Sequence, residues 1–317
     1  MATPVYLFTG FLDSGKTSLI LDTLNDPSFM EENSRTLIIC FEQGEVRYND
    51  KYLAERKAFV EYMDSPEDLN VEKIRELDTI YHPNQVFIEY NGTLAITPFI
   101  LSQMPNFWPL VQILTTVDAT TFQMYINAMR SVIYEQLKYS DTIICNRCTP
   151  DTSASMLRGN IKAINKKAQI FYEGEHGAQV TLKEGVLPFN INAPIIDIKD
   201  DDYGIWYMDA IENPDKYDGK EIILRGKFTE TLPGYHQTFI MGRQAMVCCA
   251  NDTSLCGLTV TGVKVEELVK DNWYEVQGNL KTVPLDNGGK TLVLYANRIQ
   301  NYQKPQDEFV YFSQSLG

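Results

Sequence analysis

A net charge of -14 spread over 317 residues leaves no basic stripe able to displace counterions from DNA or RNA, so nucleic acid is excluded as the main partner. With 44% hydrophobic and 22% charged residues the chain has a globular composition, and its length suits two domains with separate cores. No apolar stretch approaches the ~18 residues that span a bilayer, and the N-terminus lacks a signal peptide's basic region and cleavage site. The expectation is a cytoplasmic protein without a membrane span, whose six cysteines are thiols or metal ligands and not disulfides.

In chain order, Val5-Tyr6-Leu7-Phe8 predicts a short buried strand, and Ser18-Leu19-Ile20-Leu21-Asp22-Thr23-Leu24 predicts a helix. Between them Gly10-Phe11-Leu12-Asp13-Ser14-Gly15-Lys16-Thr17 fits the phosphate-binding pattern G-x-x-x-x-G-K-S/T. Gly10 and Gly15 permit the tight wrap that points backbone N–H groups inward, and the helix N-terminus adds partial positive charge. Lys16 is placed to reach β- and γ-phosphates, and the Thr17 hydroxyl to ligate Mg²⁺. The predicted nucleotide contacts along the loop are Gly10, Asp13, Ser14, Gly15, Lys16, Thr17 and Ser18. A Gly-rich turn that binds nothing is the plain alternative, but it gives a Lys-Thr pair at this offset no packing role.

Further strand-like runs follow at residues 36–41, 86–89, 112–117, 142–145 and 169–172, separated by helical patterns. Near-continuous apolar runs belong to strands buried on both faces, which predicts an α/β domain with a mostly parallel sheet and helices on either side. Ligands on such sheets gather beyond the carboxyl ends of the strands. There the sequence places Glu42, Gly44, Glu45 and Val46, then Glu89 and Gly92, then Asp118, then Asn146 and Arg147. Glu89 suits Mg²⁺ through water, and Gly92 suits a backbone N–H facing a γ-phosphate. A strand-end charge facing water is the plain reading of Glu89, outweighed by its spacing to Gly92.

Taken together, these residues resemble the CobW-like family of P-loop GTPases over roughly the first 190 residues. The resemblance rests on GFLDSGKT, on Glu42, Gly44, Glu45 and Val46 of an N-E-F-G-E-V switch, on Glu89-x-x-Gly92, on Thr116-Val117-Asp118-Ala119, and on Gln136-Leu137 leading to Asn146 of the base-reading N-K-x-D. It implies a slow GTP hydrolase with Lys16 stabilising phosphate charge, Glu42 or Glu45 positioning water, Thr17 and Glu89 holding Mg²⁺, and Asn146 and Arg147 at the base. It also implies metal-related chaperoning, a metal-receiving protein as partner, and a homodimer as found among relatives. Three positions depart from the family. Thr149 stands where the guanine-reading Asp is expected, and a hydroxyl cannot accept two parallel N–H bonds; Asp151 lies two residues on. Asp13 replaces the usual Gly, and a carboxylate beside phosphates is unfavourable unless it faces away or contacts a partner, so a solvent-facing Asp13 is expected. The family's C-x-C-C metal motif has no counterpart near Phe59-Val60-Glu61-Tyr62-Met63.

The domain boundary is placed near Asn192-Ala193-Pro194, giving domains 1–192 and 193–317. Asp200-Asp201-Asp202 can start a helix with Ile205, Trp206, Met208 and Ile211 on one face, ended by Asn213-Pro214. Strand-like runs at 221–226, 238–241, 257–260, 273–276 and 291–294 predict a small, OB-like β-barrel. From Asp200 to about Val283 this part resembles the C-terminal domain of YcgQ-like proteins, which implies an association with a membrane permease.

Cys248, Cys249 and Cys256, with His236 and Asp252 as extra ligands, are candidates for Zn²⁺ or another transition metal, against buried thiols that pack as small hydrophobes. Cys145 and Cys148 form a C-x-x-C that its place in the base-reading loop argues is structural. His82 and His176 read as loop histidines. Ile126, Met129, Ile133 and Leu137 recur at helical spacing and read as core or interface and not a cofactor box, and Met104-Pro105-Asn106-Phe107-Trp108-Pro109 reads as packing under the sheet, with a surface contact loop as the alternative. The whole predicts an Mg²⁺-dependent P-loop nucleoside triphosphatase using GTP, acting as a nucleotide-gated metal chaperone or permease regulator. The alternatives are a nucleotide-binding scaffold without turnover, or an ATP-dependent enzyme such as a small-molecule kinase.

Overall fold

The computed structural model describes residues 2–27, 29–30, 34–102, 104–182, 187–232, 234–249, 252–285 and 288–312, without the side chains of Cys248, Cys249 and Asp252. It divides into two compact units, Met1–Thr152 with Ile164–Leu182, and Ser153–Ala163 with Lys183–Gly317.

The first part of the chain runs β1 (Val5–Thr9), α1 (Lys16–Thr23), β2 (Thr36–Cys40), α2 (Asp50–Glu55), β3 (Ala58–Tyr62), α3 (Val71–Tyr81), β4 (Gln85–Glu89), α4 (Ile96–Leu101), β5 (Leu110–Asp118), α5 (Phe122–Ala128), α6 (Arg130–Leu137), β6 (Thr142–Asn146), α7 (Ala154–Ile164), which belongs almost wholly to the second unit, and β7 (Gln169–Tyr172). The seven strands form one sheet in the order β3-β2-β4-β1-β5-β6-β7, and every pairing is parallel. Consecutive residues face opposite cores, as the strand period of two requires. Leu7, Leu37, Ile39, Val86 and Ile88 join one cluster with Ile74, Leu77 and Trp108, while Phe8, Ile38 and Phe87 join another with Ile20, Leu24 and Leu53. Each such side chain contributes about 1.5–3 kcal/mol on burial, which is why the central residues of β2 and β4 are apolar.

Strand β3 is not among the predicted strands. It sits at the sheet edge and only Ala58 is fully buried, so it lacks the continuous apolar run of the inner strands. Helix α3 begins where the Asn70 side chain accepts from the Lys73 N–H at 3.0 Å, and it ends at His82 in the left-handed conformation. Trp108 is fully buried and its indole N–H donates to Asp78 at 2.8 Å, so the stretch before β5 is packing, as expected. The stripe from Ile126 to Leu137 is two helices, not one. The chain breaks at Met129, which is 39% exposed and not core, while Ile126, Ile133 and Leu137 are buried.

The second part contains β8 (Ile196–Asp197), α8 (Tyr203–Glu212), α9 (Pro214–Tyr217), β9 (Glu221–Thr231), β10 (Thr238–Cys249), β11 (Asp252–Thr261), β12 (Trp273–Pro284), β13 (Lys290–Asn301) and β14 (Phe309–Val310). Five of the strands close a ring, β9-β10-β11-β13-β12 and back to β9, antiparallel except for β11 with β13. A closed ring leaves no unpaired edge among those strands, and it encloses Ile222, Leu224, Phe228, Phe239, Met241, Val260, Val276, Leu280 and Leu294. On α8 the buried face carries Tyr203, Ile205, Trp206 and Ala210, whereas Ile211 is 51% exposed and lies off the face expected for it. Among the described residues no helix is long and apolar enough to cross a membrane.

Candidate nucleotide site

The connectivity of the sheet positions the site. From β1 the chain moves to β2 on one side, and from β4 it crosses β1 to β5 on the other, so a crevice opens beyond the carboxyl end of β1. The loop there adopts positive φ at Gly10 (130°), Asp13 (58°) and Gly15 (102°). A Cβ at Gly10 would lie 2.3 Å from the Thr116 carbonyl oxygen, and one at Gly15 would lie 2.5 Å from Asn146 Nδ2, so the wrap requires glycine at both. Helix α1 starts at Lys16 with no side-chain cap, which leaves its first N–H groups directed into the loop.

Lys16 is 3% exposed, donates to the carbonyls of Gly10 and Phe11 at 2.8 Å each, and forms an ion pair with Glu42. Burial pushes the Glu42 carboxyl above its ordinary range, against the pull of the Lys16 ammonium. Thr17 Oγ1 donates to Glu89 Oε1 at 2.6 Å, and the Tyr48 hydroxyl donates to Glu89 Oε2 at 2.5 Å. Glu89 is 3% exposed, so its carboxylate is turned into the site and not to water. The Cys40 thiol, 3.6 Å from Glu89 Oε2, is pushed up to about 12 by burial and then by that carboxylate. Gly92 closes the crevice: a Cβ there would lie 1.9 Å from the Gly10 carbonyl oxygen.

Asp13 differs from expectation. It is exposed, yet its carboxylate is not free in solvent: Oδ1 accepts the Glu45 N–H at 2.9 Å and leaves no room for a side chain at Gly44, where a Cβ would lie 2.4 Å away. Ser14 is buried and its hydroxyl shares a hydrogen bond of 2.6 Å with Thr116, while Ser18 lines a cavity of about 60 Å³ with Lys16, Thr17, Glu42, Glu45 and Glu89. Asn146 Nδ2 donates to the Ser14 carbonyl at 2.6 Å. The Arg147 guanidinium donates to the Asp13 carbonyl at 2.8 Å and to Asp118 Oδ2 at 2.6 Å. Thr149 is exposed, with its N–H donating to Thr152 Oγ1 at 2.8 Å, and Asp151 is also exposed. Residues at the tips of β1, β4, β5 and β6, and the segment after β2, are therefore brought together by the sheet. Sequence reasoning missed the roles of Cys40 and Tyr48, because they follow from contacts to Glu89 that lie 49 and 41 residues away in sequence.

Thr17 and Glu89 are hard oxygen donors in contact at the helix N-terminus, which fits Mg²⁺ completed by phosphate and water. The cysteine candidates fall largely outside the described residues: the side chains of Cys248, Cys249 and Asp252 are not described, while Cys256, paired with Arg243 in the register, is buried in the barrel core. Cys145 and Cys148 are buried free thiols, with Cys148 Sγ donating to the Cys145 carbonyl at 3.2 Å. No group of three or more His, Cys, Asp or Glu side chains able to hold a metal occurs among the described residues.

No curated protein matches this chain. Among solved structures it is similar to the Zn(II)-bound YjiA GTPase from E. coli, with 18% identity, a TM-score of 0.44 and coverage of 84% of this chain and 90% of that one. It is also similar to the hydrogenase maturation factor HypB from Archaeoglobus fulgidus, with 16% identity, a TM-score of 0.36 and coverage of 54% of this chain and 81% of that one. The DUF1980 C-terminal domain model matches residues 178–312. The CobW/HypB/UreG nucleotide-binding domain model matches residues 4–172, more than half of the sequence, and places this chain in that family.

Proposed function

We propose that the chain is an Mg²⁺-dependent P-loop GTPase whose nucleotide state moves the segment after β2. The observation that carries this reading is the Thr17–Glu89 hydrogen bond beside a buried Lys16 at an uncapped helix N-terminus. Lys16 and the loop N–H groups neutralise phosphate charge, and Thr17 and Glu89 hold the metal. When bound, Mg²⁺ supplies charge neutralisation at the phosphates. Glu42 and Glu45 border the same cavity and orient the attacking water, and Gly92 presents its N–H to the terminal phosphate. Such catalysis is positioning and charge stabilisation, so turnover by the isolated protein is slow. Asn146 and Arg147 anchor the base-reading loop to the phosphate loop.

The family and the second domain together favour a physiological role in metal handling or in regulation of a membrane permease, with a metal-receiving protein or the permease as partner. Calorimetric titration of the purified protein with GTP and with ATP, each with Mg²⁺, tests the reading, with Lys16→Ala as control. Preferential GTP binding lost in Lys16→Ala supports it. Equal or stronger ATP binding replaces GTP with ATP, an outcome that Thr149 in place of Asp would explain.

A further inference from the structure

Asp13 holds a segment on each side of the phosphate loop. Its Oδ1 accepts the Glu45 N–H at 2.9 Å, and its carbonyl accepts the Arg147 guanidinium at 2.8 Å. It does so from a left-handed backbone with φ of 58°, which directs the side chain toward Gly44 and Glu45. The fit is close, because any side chain at Gly44 would collide with Oδ1. The Glu45 N–H thus rests on a negative charge within the loop that wraps phosphates.

We propose that Asp13 is a latch on the segment Glu42 to Val46, opened by the charge of a bound triphosphate. The proposal rests on the nucleotide site described above and adds a positioning role for a carboxylate. Asp13, Glu42 and Glu45 line one cavity with Lys16 and Thr17, so phosphate entering it raises the negative potential at Asp13. A carboxylate that swings away from that charge releases the Glu45 N–H, and the segment can then re-form around the triphosphate. A diphosphate carries less charge and leaves the latch closed. Asp13 therefore biases the protein against triphosphate while coupling triphosphate binding to movement of Glu42 and Glu45.

The test separates the latch from nucleotide binding. Amide hydrogen exchange across residues 41–47 is followed in wild type, Asp13→Asn and Asp13→Gly, without nucleotide and with a non-hydrolysable GTP analogue. Both replacements tolerate positive φ, so the loop backbone is kept. In the nucleotide-free protein, Asp13→Gly exchanges the Glu45 amide roughly tenfold faster, whereas Asp13→Asn, which keeps an acceptor, stays near wild type. With the analogue bound, wild type and Asp13→Gly exchange this segment at the same rate, because the Asp13 contact no longer holds it. Asp13→Asn raises the ratio of triphosphate to diphosphate affinity roughly tenfold, the scale of a partly screened like charge. Unchanged exchange in nucleotide-free Asp13→Gly overturns the latch whatever binds. An unchanged affinity ratio in Asp13→Asn overturns opening by charge. A wild type that binds neither nucleotide overturns the functional reading, with the latch still read by exchange.

Discussion

Lys16 and Glu42 are paired inside the phosphate loop, with only 2% and 8% of their side chains exposed. The ammonium is also held by the Gly10 and Phe11 carbonyls, so three acceptors already occupy the donor that a triphosphate needs. Binding then exchanges one anion for another, and the Glu42 carboxylate is the one that must leave. On the proposed reading, that departure moves the segment after β2.

Replacing Glu42 by Gln removes that competitor. GTP affinity should rise roughly tenfold, since a neutral amide competes far less for the ammonium than a carboxylate does. Hydrolysis should fall, because the group that orients water is gone. Calorimetry with a non-hydrolysable analogue measures the first and phosphate release the second; affinity at or below wild type would show that the pair does not oppose binding.

Glu89 has different work. Its two oxygens accept from Thr17 and Tyr48, and Glu89→Gln keeps the shape but loses the charge that attracts a hard cation. Mg²⁺ should strengthen GTP binding to wild type at least about tenfold and should have little effect on Glu89→Gln. Titrations with and without the metal decide it, and an equal Mg²⁺ effect in both proteins would remove Glu89 from the metal site.

Gly92 is a packing requirement as much as a site residue. Ala would place a methyl 1.9 Å from the Gly10 carbonyl oxygen, backbone against backbone, so one strand-end loop must move. A loss of about 1–3 kcal/mol is expected, together with weaker nucleotide binding. Thermal denaturation should register a fall of a few degrees, and an unaltered melting temperature would contradict the close approach.

Cys40 gives a pH dependence. Its folded-state value of about 12 lies above the ordinary 9.0, so the folded protein holds this proton more tightly than the unfolded chain does. The contribution to stability is full below about pH 9 and is lost as pH rises toward about 12. Cys40→Ala should flatten part of the alkaline decline in a urea titration series. The thiol should also resist alkylation at pH 8 in the folded protein and react once the protein is unfolded. Rapid alkylation of folded protein at that pH would be the contrary result.

The phosphate loop, the inner parallel strands and the helix following the loop were legible because each is local. Lys16 and Thr17 at a fixed offset from two glycines, after Val5 to Phe8, need no distant residue to be recognised. The barrel was legible from five strand runs, but which strands pair to close it was not, since β11 pairs with β13 and β9 with the distant β12. Edge strand β3 is hard to read because Glu61 cuts its apolar run to three residues, and the break at Met129 because helical spacing continues through it.

By itself the sequence determined the chemistry available at the site: which residues can carry phosphate, metal and base contacts, and that both domains have cores of their own. Tertiary structure alone decided how those groups are used. Cys256 is buried in the barrel core, because the register that pairs it with Arg243 sets which side of the sheet it is on. Asp13 is turned onto Glu45, and Tyr48 onto Glu89, because the parallel sheet brings the ends of distant strands to one edge. A hydrogen bond depends on angstroms between side chains, and those distances are fixed only when the whole sheet has formed.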